Sequence, residues 1–196
     1  MKILDLGCGE NKIPNSIGLD NVKLPNVDVV HDLIDLPYPF DSKSIDKIYL
    51  RHVIEHFDID HINSIFNECH RLLKKDSQLV ITVPHVSSIS AFIDPTHQSY
   101  FTFGSGQFWD INSPKIYYKY FQSNFKLLKT SCSKVTWFNW KGYRLKKIDN
   151  FLSRMMEIRI RKLLSKDSNL GFGDNDRIIK KYAFHFGEIE WTFQKF

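Results

Sequence analysis

Apolar residues come in short runs along much of this chain. Lys2 to Leu6, Ser16 to Leu19, Val27 to His31, Lys47 to Leu50 and Gln78 to Val83 are each too short for a helix and are bounded by turn-forming residues, which predicts strands. Phe125 to Val135 and Gly187 to Gln194 predict two more, read as a long antiparallel pair. The period changes between Ile59 and Lys75. There Ile62, Ile65, Phe66, Cys69, Leu72 and Leu73 recur at spacings of three and four, so one helix face is apolar and covers the sheet. Arg71, Lys74 and Lys75 at its end suit a helix C-terminus. The expected fold class is α/β, built on a seven-stranded sheet.

The spacing between the first strands limits what joins them. Only residues 10–16 separate Gly9 from Ile17, and only residues 21–26 separate Asp20 from Val27. A parallel crossover through a helix normally takes about a dozen residues or more. The first two connections are therefore expected as turns, leaving that part of one sheet face thinly covered.

The same short connections carry candidate chemistry. The first strand runs into Gly7-Cys8-Gly9, and the second, through Gly18-Leu19, ends on Asp20. Glycines let a backbone approach a ligand, and a carboxylate at a strand end accepts hydrogen bonds from a ribose diol, so this reads as a nucleoside-binding crevice. Further along lie Asp32-Leu33-Ile34-Asp35-Leu36-Pro37-Tyr38-Pro39-Phe40, Ser44-Ile45-Asp46-Lys47-Ile48-Tyr49-Leu50 and His52-Val53-Ile54-Glu55-His56-Phe57. With Leu4-Asp5-Leu6-Gly7-Cys8-Gly9 and Gly18-Leu19-Asp20, these segments in this order resemble class I S-adenosylmethionine-dependent methyltransferases, continuously to about Pro84. The shortened first crossovers resemble small bacterial and archaeal variants of that family.

The resemblance implies a Rossmann-like sheet, mostly parallel with a reversed last strand, with helices on both faces but reduced in the N-terminal half. It implies S-adenosyl-L-methionine as cofactor. Asp20 would hold the ribose hydroxyls, Asp32 and the Leu33 amide the adenine edge, and Gly7, Cys8 and Gly9 the methionine portion, with Asp5 orienting its ammonium at second hand. Arg51 and His52, at the end of the fourth strand, complete the expected cofactor set. Without a first helix, no helix dipole assists the methionine carboxylate, and Lys12 is placed to replace it.

After Pro84 the sequence is rich in Ser, His and aromatic residues as far as Pro114, the expected acceptor side. His85 follows the fifth strand and His97 lies in Asp94-Pro95-Thr96-His97; either imidazole is a candidate general base, with Asp94 to orient it. Tyr100, Phe101, Phe103, Phe108 and Trp109 either wall an apolar pocket, close as a lid or belong to the core. Residues 148–164 predict a basic amphipathic helix, able to touch anionic lipid or a polyanion but more often packed on a core, and residues 169–176 a loop. His52-Val53-Ile54-Glu55-His56 also fits the His-x-x-Glu-His pattern of inverted zinc peptidases, a rival from another class.

Composition narrows the picture a little further. A chain of 196 residues, 42% of them hydrophobic, suits one domain over residues 1–196, with 1–84 as cofactor half and 85–196 as acceptor half. No apolar stretch reaches the roughly 18 to 20 residues that span a bilayer, and Met1 leads straight into a strand, so a cytoplasmic protein is expected. The three cysteines, Cys8, Cys69 and Cys132, lack metal-type spacing and read as reduced thiols, and no metal is expected. A net charge of +5 favours acidic partners and is equally ordinary for solubility. The expected activity is methyl transfer to an oxygen of a small molecule or glycan. Alternatives are an RNA or other nucleic-acid methyltransferase, the zinc peptidase, and a non-catalytic methyltransferase-like protein.

Overall fold

The computed structural model describes residues 1–113, 125–136 and 185–196. The helix expected over residues 148–164 and the loop at 169–176 lie outside the described residues. Seven strands form one sheet: β1 (Ile3–Leu6), β2 (Ile17–Asp20), β3 (Val29–Val30), β4 (Ile45–Arg51), β5 (Leu73–Pro84), β6 (Phe125–Thr136) and β7 (His185–Lys195). Their order is β3-β2-β1-β4-β5-β7-β6. The pairs from β3 through β5 are parallel, and β7 runs antiparallel to both β5 and β6. This matches the expected sheet with its reversed last strand.

No helix joins β1 to β2 or β2 to β3. Side chains hold these connections instead. Asp5 Oδ2 accepts the Ile13 amide at 2.8 Å, and Asp28 Oδ2 accepts the Gly18 amide at 2.7 Å, tying each turn to a strand. Val22, Val30, Ile34 and Leu36 are exposed, consistent with a thinly covered edge of the sheet.

The helix α1 (Ile59–Leu72) starts on Asp58, whose carboxylate accepts the Asp60 and His61 amides. It ends three residues before the expected Lys75, because Leu73 pairs with Ile45 in the sheet and the chain leaves directly as β5. Lys74 consequently lies on β5, where its ammonium meets Asp46 at 2.6 Å. The carbonyls that a helix end leaves over are taken by neighbours rather than by a glycine cap. The amides of Lys43 and Ser44 reach Arg71 O and Leu72 O, and Lys195 Nζ donates to His70 O and Leu73 O.

The apolar face of α1 meets alternate residues of the central strands, Leu4, Ile48, Leu50, Leu79, Ile81 and Trp191 among them, all fully buried. Phe66 of α1 stacks on Trp109 with ring centroids 4.6 Å apart. After β5 come the one-turn α2 (Ser90–Ile93) and a 3-10 segment over Phe103–Trp109. No helix among the described residues is long and apolar enough to cross a membrane.

Candidate active site

Every parallel strand from β1 to β4 ends at the same edge of the sheet, so the residues just past those ends converge. This is where open α/β sheets bind ligands. They frame a cleft of about 300 Å³. Gly7, Asp20, Asp32, Leu33, His52, His56 and Phe57 line it. Asn21 and Val53 also line it and were not singled out by sequence reasoning, although their place directly after β2 and β4 was a usable signal.

The chain turns into the cleft through two left-handed glycines, Gly7 at φ +64° and Gly9 at φ +53°. A Cβ on Gly7 would stand 2.5 Å from Val53 Cγ2, so no side chain fits there without displacing that wall. In front of Gly9 there is no other atom within 4 Å of the Cβ position, which leaves room for a ligand against the backbone. Asp20 is fixed at the mouth: Oδ2 accepts the Gly9 amide at 2.8 Å and Oδ1 the Val22 amide at 3.0 Å. Asp32 Oδ1 accepts the Ile34 amide at 3.1 Å, an Asx turn that presents the carboxylate beside Leu33.

Below this floor, Asp5 is fully buried and its Oδ2 receives Arg51 Nη2 at 2.8 Å. Arg51 Nη2 also donates to Asn11 O at 2.6 Å, binding β4 to the first turn. Asp5 Oδ1 is buried and accepts no hydrogen bond among the described residues. Lys12 does not stand free at the cleft as expected; its ammonium pairs with Asp28 at 2.8 Å. The Lys12 hydrogen bond, with the Gly18 amide, holds the Asp28 carboxyl below its ordinary range. Cys8 is also displaced from its expected role. Its side chain is buried under Gly18, where an added Cβ would come 2.7 Å from Sγ, and burial first, then the charges of Asp5 and Asp20, raise its thiol pKa.

The fourth strand delivers His52 in a left-handed conformation, φ +56°. Its Nδ1 lies 3.4 Å from Glu55 Oε1, and its Nε2 lies 3.5 Å from Glu188 Oε1, a β7 residue that no local sequence pattern linked to the cleft. A 3-10 turn over Ile54–His56 follows. The His-x-x-Glu-His segment therefore has no helical face on which two imidazoles could stand one turn apart, and the zinc-peptidase arrangement does not form.

His56 Nδ1 lies 2.8 Å from Thr96 Oγ1, which in turn donates to Asp94 Oδ1 at 2.7 Å. His97 packs edge-on against His56 with ring centroids 4.7 Å apart, and its Nδ1 donates to Ala91 O at 2.9 Å. Asp94 thus acts on His56 through Thr96, not on a histidine directly.

The other candidate base is displaced. His85 is 0% exposed, its ring lies against Phe103, and its Nδ1 accepts the Ser87 amide at 3.0 Å. Burial pushes its pKa down to about 4. It is a core residue away from the cleft, with an imidazole too weakly basic to take a proton near neutral pH. Phe101, Phe103 and Trp109 resolve as core, whereas Tyr100 is exposed and stacks on Phe92 at 4.9 Å.

Residues 14–81 match the family model described as a methyltransferase domain. The fold is similar to a SAM-dependent methyltransferase from Archaeoglobus fulgidus, with 19% identity, 99% of this chain and 86% of that chain covered, and a TM-score of 0.58. It is also similar to the YcgJ protein from Bacillus subtilis, with 16% identity, 99% and 91% covered and a TM-score of 0.53. A third likeness is to an S-adenosylmethionine-dependent methyltransferase from Mesorhizobium loti, with 14% identity, 99% and 90% covered and a TM-score of 0.50. No curated protein matches the sequence. Residues 14–81 thus carry a match to a methyltransferase domain, and the strand order and the cleft at the strand ends give the chain the fold of the methyltransferases it is similar to.

Proposed function

We propose that this chain transfers the methyl group of S-adenosylmethionine to an oxygen of a small hydroxylated molecule or a glycan. The observation that carries the reading is the cleft itself, which Asp20, Asp32, Leu33 and Gly7 line together with His52, His56 and Phe57. The residues present fit the cofactor. Asp20 stands where a ribose diol can donate to it, Asp32 and Leu33 where an adenine edge can be read, and the open space before Gly9 suits the methionine portion. The buried, unpartnered Asp5 Oδ1 beneath that space suits an ammonium held at second hand.

The bound cofactor supplies an already activated methyl group. The protein's task is to align it with the acceptor and assist loss of the acceptor's proton. The imidazoles of His52 and His56 in the cleft lining support that second task, with His97 packed against His56. A cleft of this size, lined by both polar and apolar residues, favours a small hydroxylated acceptor over a macromolecule.

Calorimetry with S-adenosylmethionine, followed by a product assay over sugars, polyols, phenols and RNA oligonucleotides, tests the reading. Saturable cofactor binding and methylation of a hydroxyl acceptor are expected. Methylation confined to RNA or to amines would replace the acceptor assignment, and cofactor binding without turnover on any acceptor would leave a binding protein.

A further inference from the structure

Glu55, His56 and His97 form a cluster that meets the cleft through His56, and the cofactor reading does not use them together. One ligand atom from each lies within 4.8 Å of the other two. Glu55 is fully buried, yet neither of its carboxylate oxygens accepts a hydrogen bond among the described residues. A buried carboxylate in that condition is costly unless a cation neutralises it. The His52 imidazole approaches it, with Nδ1 3.4 Å from Oε1.

We propose that Glu55, His56 and His97 bind a first-row divalent cation of the Zn²⁺ or Mn²⁺ type. Two independent features support this beyond the clustering. The first is the orphaned Glu55 carboxylate. The second is the orientation of both imidazoles. The Ala91 carbonyl can only accept, so His97 Nδ1 carries the proton. Thr96 Oγ1 donates to Asp94, so it accepts from His56 Nδ1. In neutral histidines this leaves each Nε2 with a lone pair, the tautomer being assigned from the network. Metal-ligating histidines are held in the same way, by a carbonyl or a carboxylate-linked partner on the other ring nitrogen.

The backbone holds the three residues in register. Gln98 and Ser99 amides donate to Glu55 O at 2.8 and 3.0 Å, Gln98 Nε2 to His56 O at 2.8 Å, and Ser99 Oγ to Phe57 O at 2.7 Å. The loop that carries His97 is thereby stapled to the turn that carries the other two. Bond lengths of about 2.0 to 2.2 Å put ligands on opposite sides of one ion roughly 4.2 Å apart, so a rotamer-scale adjustment closes the set. Two imidazoles and one carboxylate select a transition-type divalent ion and leave coordination positions open.

Because His56 also lines the cleft, an open position can face the acceptor. This role rests on the proposed O-methyl transfer. A hydroxyl oxygen on the cation loses its proton more readily; the O–H bond breaks, its electron pair stays on the oxygen, and water takes the proton. The acceptor class would then be a hydroxyl compound with a second oxygen able to chelate, such as a vicinal diol.

The test uses the full chain without a histidine tag, stripped with EDTA and titrated calorimetrically with Zn²⁺ and, separately, Mn²⁺. One saturable site per chain is expected, weakened about 10-fold or more in Glu55→Gln and in His97→Ala. His61→Ala, at an exposed histidine paired with Asp58, should bind as the wild type does. Zn²⁺ should raise the unfolding temperature of the wild type and not that of Glu55→Gln. Without metal, Glu55→Gln should unfold no lower than the wild type, since it loses a buried charge; should it fail to fold, His97→Ala carries the test. No saturable binding, unchanged affinity in both site variants, or loss of binding in His61→Ala overturns the proposal. S-adenosylmethionine binding is measured on the same stripped protein, so a failed cation site and a failed cofactor reading give different results.

Discussion

Asp20 does two things with one carboxylate: it accepts the amides of Gly9 and Val22, and it faces the cleft. The backbone contacts hold it rigid, so little conformational freedom is lost when a diol adds its own hydrogen bonds. Hydrogen bonds to a charged acceptor contribute about 1.5 to 3 kcal/mol, so Asp20→Ala should weaken S-adenosylmethionine binding roughly 10- to 150-fold. Asp20→Asn keeps one acceptor oxygen and should lose less. Equal affinities for the wild type and Asp20→Ala by calorimetry would remove the residue from the ribose site. Residues of this kind, a carboxylate or glycine at a strand end, are legible in sequence because their role follows from local position. The pairing of Lys12 is not legible for the opposite reason: its partner Asp28 lies across a turn, and nothing local announces that the two charges meet.

At the level of elements, the absence of the first two crossover helices is legible from the short connections between strands, and the stripe of α1 from its period. The end of α1 was not. Leu73 continues the helical pattern, yet its pairing with Ile45 takes it into the sheet. The same non-local control buries Glu68, a polar residue beside the apolar stripe. Its Oε1 accepts the Tyr38 amide at 2.7 Å and Arg71 Nη2 at 2.6 Å, and Oε2 accepts Arg71 Nε at 2.8 Å. Arg71 then reaches Phe40 O and Tyr38 O, so the pair clamps the turn before β4 onto α1. Glu68→Ala would orphan the buried Tyr38 amide and release Arg71, and should cost about 2 to 4 kcal/mol. Glu68→Gln, which keeps an acceptor for Tyr38, should cost less. Urea denaturation of the two variants decides it, and a loss below about 1 kcal/mol for Glu68→Ala would show that the clamp is not a stability determinant.

Across the whole molecule, groups buried in one continuous core make stability depend on pH at both ends of the range. His85 has an ordinary pKa of 6.5 and a folded value of about 4, through burial. Between those values the unfolded chain binds more protons than the folded one, so stability rises with pH across that window. The contribution is fully present above pH 6.5 and lost as pH falls through 4; a shift of this size corresponds to about 3 kcal/mol. His70, lowered by burial and then by the charge of Lys195, acts in the same direction. On the alkaline side, burial raises Cys69, Cys8 and Tyr38, so the unfolded chain ionises first and stability falls as pH climbs past their ordinary values. Urea midpoints should therefore form a plateau from about pH 6.5 to 9, with a slope on each side. His85→Asn isolates the acid arm, because the amide oxygen can still accept the Ser87 amide but does not titrate. Its stability should change much less than that of the wild type between pH 6.5 and 4, whatever its value at pH 7. Parallel profiles for the two proteins would mean that His85 is already solvated when folded, and would return it to consideration as a base.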